Sequence, residues 1–239
     1  MDNSAKKDWL GLMIGNSRLH WAKFHQKTLI QTWNSPHQST AAAATPLDRL
    51  PLYIASVVPQ QTALWQAYPR ARVITLADIP LPGLYQTMGI DRALALWGAV
   101  STDRCPCLII DAGTALTFTG ASEQRFVGGA ILPGLRLQLQ SLTQKTAALP
   151  AVQIQNLPQR WAVETSEAIS SGVLYTLLAG LKDFIQDWQQ QYLDSQILLT
   201  GGDATVLMHF VQVQFPEVAA AIKIDANLIF WGMRSLVAQ

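Results

Sequence analysis

The sequence predicts an α/β fold built from two related halves. Strand-like apolar runs alternate with helix-like segments along the whole chain, which favours an α/β design over a sandwich or a bundle. A strand-turn-strand unit beginning at Leu12, LMIGNSRLHW, returns in the second half at Ile109 as IIDAGTALTF. A third glycine turn, Gly201-Gly202-Asp203, ends a later strand. At 239 residues the chain can bury its own core in one or two domains. The expected division is 1–104, with the first hairpin, and 105–239, with the second.

The elements follow in order. Residues 9–14 read as a strand and 18–24 as its return, joined by the turn Gly15-Asn16-Ser17. The Ser, Thr, Ala and Pro content of 34–51 suggests a loop or weak helix. YIASVV at 53–58 is a buried strand stopped by Pro59, followed by a helix at about 60–67 and a strand at 72–76. Asp91 to Val100 is helical, with Leu94, Trp97 and Gly98 on one face, and Asp91 stands at its start, where free amides favour a carboxylate. Strands at 107–111 and 116–119 open the second half, GGAILPG at 128–134 is a further strand, and a helix runs from it to about Ala147. After a proline-bounded linker, Glu164 to Tyr192 shows helical spacing of Ile169, Val173, Leu177, Leu181, Phe184 and Trp188. ILLTGGDA at 197–204 is a strand entering a glycine loop, and a C-terminal helix covers 226–237.

Composition narrows the function. Hydrophobic residues make up 49% and charged residues 14%, with formal net charge +1, so there is no broad basic field for nucleic acid. No membrane-spanning window or signal peptide is expected, and the chain reads as soluble and cytoplasmic. Cys105 and Cys107 lack a second pair for a zinc site and read as reduced thiols. His20, His25, His37 and His209 show no metal-ligand spacing and read as surface or packed residues.

The chemistry concentrates at LIIDAGTALT, residues 108–117. A buried strand delivers Asp111 to a turn in which Gly113 lets an anion approach the main chain and Thr114 offers a hydroxyl. Neither GxxxxGK[ST] nor GxGxxG occurs, which excludes a P-loop and a simple dinucleotide site. Two facing hairpins with a glycine turn at the rim are instead expected to hold a nucleoside triphosphate. By itself Asp91 with Arg92 reads first as a helix cap beside a surface arginine, a preference that the other motifs reverse, while Asp203 is equally readable as a turn aspartate and Thr165 as a helix-start hydroxyl.

The ordered set GNS at 15–17, GIDR at 89–92, DAGTA at 111–115, GGAILPG at 128–134, TAALP at 146–150 and TGGDA at 200–204 resembles the type III pantothenate kinases. These belong to the superfamily of actin, sugar kinases and heat-shock ATPases. The resemblance implies two actin-like, ribonuclease H-like lobes with a nucleotide cleft between them, and ATP-dependent phosphorylation of pantothenate to 4'-phosphopantothenate. It assigns Asp91 as proton acceptor, with Gly89, Ile90, Arg92, Thr165 and Tyr85 at the pantothenate pocket. It places Gly15, Asn16 and Ser17, with flanking Met13, Ile14 and Arg18, at the ATP phosphates, Thr114 on ATP, and Gly201 and Gly202 in the adenosine loop. Asp111 is implied as the ligand of a monovalent cation, K+ or NH4+, alongside Mg2+, and the protein as a homodimer. Arg92 suits a carboxylate-bearing substrate such as pantothenate, because a guanidinium fork holds a carboxylate in fixed geometry.

One position departs from the resemblance. The family's first loop carries an aspartate two residues before its glycine, where this chain has Met13. Asp8 cannot replace it, because five residues of strand span roughly 16 Å. A thioether is a poor Mg2+ ligand. The metal is therefore held by ATP, water and Asp111, or the enzyme is slow or metal-hungry, or catalysis is lost; the first is favoured because Mg2+ commonly keeps waters and leans on phosphates. The alternatives to a pantothenate kinase are a weakly catalytic, ligand-binding regulatory protein of the same fold and a kinase of another small hydroxylated acid or sugar.

Overall fold

A computed structural model describes residues 8–39 and 50–237. The chain divides into two compact units, one running to Asp103 and resuming at Asn227, the other Arg104–Ala226.

The first unit contains β1 (Asp8–Ile14), β2 (Leu19–His25), β3 (Thr28–Ser35), β4 (Leu52–Ser56) and β5 (Ala71–Val73), in the sheet order β3-β2-β1-β4-β5. β1, β2 and β3 are antiparallel neighbours, while β4 lies parallel to β1 and β5 parallel to β4. Leu10, Leu12 and Ile14 of β1 alternate onto one face, where they join Leu19, Trp21, Leu52, Ile54 and Trp65 in a core closed by helix α1 (Pro59–Gln66). The odd positions face the other way. There Gly11 lets Met233 and Phe230 of the last helix, α7 (Leu228–Val237), come against β1.

The break after Asp103 lies one residue from the expected 104/105, but α7 does not stay with the second half as expected. It belongs to the first unit because it crosses helix α2 (Ile90–Val100) at two glycines. A Cβ on Gly98 would strike the carbonyl oxygen of Leu228, and one on Gly232 that of Leu94. Only glycine allows backbones this close, and that contact draws the C-terminus into the first unit.

The second unit repeats the plan. β6 (Cys107–Ala112), β7 (Ala115–Ser122), β8 (Arg125–Pro133), β9 (Gln196–Thr200) and β10 (Ile222–Ile224) are ordered β10-β9-β6-β7-β8, with the antiparallel and parallel pairings in the same places. Its helices are α3 (Leu135–Lys145), α4 (Thr165–Gln191), α5 (Ala204–Gln214) and the short α6 (Pro216–Ala219). α4 is long and apolar enough, on those measures alone, to cross a membrane, contrary to the expectation that no such window exists. Its buried positions from Ile169 to Trp188 fill this unit's core, and Trp188 lies so close to β7 that Gly120 has no room for a side chain. It is an amphipathic core helix that takes its apolar character from the face it buries.

The expected hairpins, the helix at 91 and the long helix at 164–192 all form, within two residues of their expected ends except that β7 runs to Ser122, three residues beyond the expected 119. β3, β10, α5 and the short α6 are additional. Residues 40–49, within the stretch read as loop or weak helix, lie outside the described residues.

Candidate functional site

Each unit positions its own cluster. In the first, β1 ends at Ile14 and the turn Gly15-Asn16-Ser17-Arg18 returns the chain to β2, closed by a hydrogen bond from the Gly15 amide to the Arg18 carbonyl (3.1 Å). Asn16, Ser17 and Arg18 are exposed, whereas Met13 and Ile14 are buried. Two imidazoles support this turn, and sequence spacing revealed neither. His37 donates from Nε2 to the Gly15 carbonyl oxygen (2.8 Å). His20 lies against the Gly15 backbone, with its Nε2 3.6 Å from where a Cβ would stand, and its Nδ1 is 2.7 Å from Asn34 Oδ1. Burial holds the His20 imidazole below the usual histidine range, against the raising effect of Asn34 and helped by the Arg18 charge.

The second cluster in this unit is the start of α2. Gly89 precedes the helix, and a Cβ there would collide with the Asp91 carboxylate, so the glycine makes the space in which that carboxylate folds back. Asp91 Oδ1 accepts from the Arg92 amide (2.8 Å). Burial raises the Asp91 carboxyl above the ordinary aspartate range, only partly opposed by backbone amides and by the Arg92 charge. A carboxylate raised in this way binds a proton more strongly, which suits a general base. Ile90 is buried and anchors the turn. Arg92 is buried with 6% exposure, and its Nη1 donates to the Tyr85 hydroxyl (2.8 Å). Tyr85, itself 42% exposed, is thereby brought to the Asp91–Arg92 turn.

In the second unit Asp111 is the last residue but one of β6, and the Gly113 amide closes the turn on the Ala115 carbonyl (3.0 Å), one residue tighter than the first hairpin. Gly201 has φ +94°, and a Cβ there would strike both Asp111 Oδ1 and the Ala112 carbonyl, so the third glycine turn lies directly on the Asp111 carboxylate. Gly134 is pressed against the Gly113 and Thr114 carbonyls, and its amide donates to Thr114 (2.9 Å). Thr114 and Gly202 are exposed. Asp203 is buried and its amide donates to the Ala112 carbonyl (2.8 Å), while its carboxylate pairs with Arg136 of α3 (2.8 Å). DAGTA, GGAILPG and TGGDA, distant in sequence, therefore meet at one place. Thr165 stands exposed as the first residue of α4.

A cation at Asp111 would find hydroxyls beside the carboxylate. Thr117 on β7 and Thr200 on β9 are both in register with Asp111, and both are buried. Among the described residues no three His, Cys, Asp or Glu side chains gather into a metal cage. A donor set of one carboxylate and neutral oxygens fits ions held largely by phosphate and water. The cysteines stand outside these clusters: Cys107 is buried in β6 and burial pushes its thiol up to about 12, an inert group at neutral pH.

Residues 9–187 match the family model described as type III pantothenate kinase. Relatives bearing that name include one from Nostoc sp., 47% identical over 98% of this chain and 95% of its own length. Another, from Synechocystis sp., is 46% identical over 99% and 93%. Among solved structures, a Campylobacter jejuni protein named for the Baf family of transcriptional activators superposes with TM-score 0.67 at 21% identity, covering 95% of this chain and 96% of that one. The activator of 2-hydroxyisocaproyl-CoA dehydratase from Clostridium difficile, with bound ADPNP, gives 0.56 at 10% identity, with 97% and 94% covered. The ROK hexokinase of Thermus thermophilus gives 0.51 at 13% identity, with 96% and 98% covered. These structures bear on the fold, which is that of the actin-like ATPases and sugar kinases.

Proposed function

The chain belongs to the type III pantothenate kinase family, and from that premise we propose how its residues divide the work of phosphorylating pantothenate. The activity is ATP-dependent transfer of a phosphoryl group to pantothenate, yielding 4'-phosphopantothenate for coenzyme A biosynthesis. The observation that carries the assignment of roles is the start of α2, where a half-buried carboxylate of raised proton affinity adjoins a buried guanidinium.

Arg92, steadied by Tyr85, holds the pantothenate carboxylate, and Gly89 and Ile90 shape the turn beside it. Asp91 accepts the proton of the primary hydroxyl as its oxygen bonds to the γ-phosphorus and the bond to the β,γ-bridging oxygen breaks, leaving ADP. Thr165 contributes a hydroxyl to the substrate. The turn Gly15-Asn16-Ser17, with Arg18 beside it, holds ATP phosphate oxygens, Thr114 donates to ATP, and Gly201 and Gly202 line the adenosine. In this division 1–104 supplies the first hairpin and the substrate turn, and the chain from 105 the second hairpin and adenosine loop, with α7 returned to the first unit.

The family implies a divalent metal. Mg2+ on the phosphates and a monovalent cation, K+ or NH4+, at Asp111 fit the oxygen donors there, and when bound they supply charge neutralisation as the phosphoryl group transfers. The protein acts as a cytoplasmic homodimer. Trp161 and Val163, 84% and 92% exposed immediately before Thr165, are the apolar surface that a second copy would cover.

A coupled assay tests the reading. ADP release should depend on pantothenate and disappear when it is omitted. Equal release with an unrelated hydroxy acid would overturn the substrate assignment, and sedimentation of a monomer at assay concentration would overturn the dimer.

A further inference from the structure

The two hairpins are equivalent in topology, and comparing them position by position isolates one unexplained side chain. Superposing Gly15 on Gly113 matches Met13 with Asp111, His20 with Thr117 and Ala55 with Thr200, because each set is in register across the same three strands. The second hairpin thus has a carboxylate on its central strand and hydroxyls on both neighbours. The first has a buried thioether in the centre, a methyl on one side and an imidazole on the other. Its polar capacity at this level has moved one strand over, onto His20.

The state of that imidazole is fixed by its neighbours. Asn34 Oδ1 can only accept, so Nδ1 of His20 carries the proton and the neutral ring presents an unprotonated Nε2. Burial and the Arg18 charge keep the ring neutral. Nε2 lies against Gly15, beneath the exposed turn. His37 differs, because its Nε2 donates to the Gly15 carbonyl and that nitrogen presents no acceptor at the turn.

We propose that His20 Nε2 accepts a hydrogen bond from a water on the divalent cation of the nucleotide, giving the first hairpin a cation-water contact that Met13 cannot make. Hydrated Mg2+ presents water protons outward, and a neutral imidazole nitrogen is a suitable acceptor for them. The proposal rests on the reading that ATP phosphates lie at Gly15-Asn16-Ser17. It makes His20 a positioning residue for the metal–nucleotide complex.

The test measures binding of a non-hydrolysable ATP analogue to the full chain by calorimetry, with Mg2+ and with EDTA. In His20→Ala the Mg2+ complex should bind roughly threefold to tenfold more weakly, the loss of one net hydrogen bond, while binding in EDTA is unchanged. His20→Gln, which restores an acceptor oxygen, should recover part of the loss. Equal weakening with and without Mg2+, or full retention of the Mg2+ effect in His20→Ala, would overturn the proposal. Asn16→Asp, which places a negative charge on the exposed turn, separates the premise: if it leaves analogue binding untouched in both conditions, the phosphate reading of the turn fails, and His20 with it. If Asn16→Asp weakens both while His20→Ala alters neither, only the His20 role falls.

Discussion

The two sheets share strand order, strand directions and a hairpin at the same corner, yet their hairpins carry opposite chemistry. In the second unit Asp111 lies under Gly201, whose lack of a side chain admits its carboxylate, and beside Thr117 and Thr200. In the first, the equivalent Met13 is sealed into the sheet face with 2% exposure, and the turn above it is held by two histidines. A repeated topology preserves where a turn forms, since strand pairing and glycine decide that. It does not preserve what the turn binds, since one side chain changes a cation ligand into core packing.

Several variants test this asymmetry. The largest effect should come from outside both hairpins: Asp91→Asn should lower kcat by about 10² to 10⁴, the usual contribution of a positioned base. Steady-state ADP release would measure it, and undiminished turnover would return the search for a base to Asp111. Because burial raises the Asp91 carboxyl, protonation should silence the wild-type enzyme as pH falls through a value above the ordinary aspartate range, and Asp91→Asn should lack that acid limb.

Next in size is the direct contrast of equivalent positions. Asp111→Asn should reduce kcat/KM for ATP by roughly tenfold to a hundredfold, the scale of a lost charged contact, whereas Met13→Leu, a volume-conserving apolar exchange, should cost less than about tenfold. Equal losses at the two positions would mean that both hairpins engage the nucleotide through these side chains. Gly98→Ala tests the architecture instead. Its methyl would strike the Leu228 carbonyl, and overpacking of this kind typically costs about 1–3 kcal/mol, readable by denaturant unfolding. The smallest expected effect is a shift in the metal requirement: Met13→Asp should lower the Mg2+ concentration giving half-maximal rate, and an unchanged requirement would count against any metal role for that position.

The legible and illegible parts of the sequence separate by how local their causes are. The hairpins, the α2 start and α4 were readable because glycine turns and apolar periodicity act within a few residues. β3 was not, since it is an edge strand whose residues are mostly exposed or half-buried and carry no clean alternation. β10 spans only Ile222–Ile224 and depends on β9 beside it. α5, ATVLMHFVQVQ, is rich in β-branched residues that leave helix and strand equally plausible from pattern alone. His20 and His37 looked like scattered histidines, because cross-strand register and the chain just past β3 bring them to Gly15. Asp203 read as a turn aspartate, and its partner Arg136 could not be found without the fold.

The amino-acid order alone determined the two-part α/β plan, the two glycine hairpins, the helix opening at Asp91 and the family that these motifs resemble, because all depend on short-range pattern and residue type. Tertiary structure decided which lobe owns the C-terminal helix, which side chain reaches Arg92, and where the first hairpin keeps its polar group. Those outcomes follow from strand register and from close approaches at Gly98, Gly201 and Gly232, which bring together residues far apart in the chain.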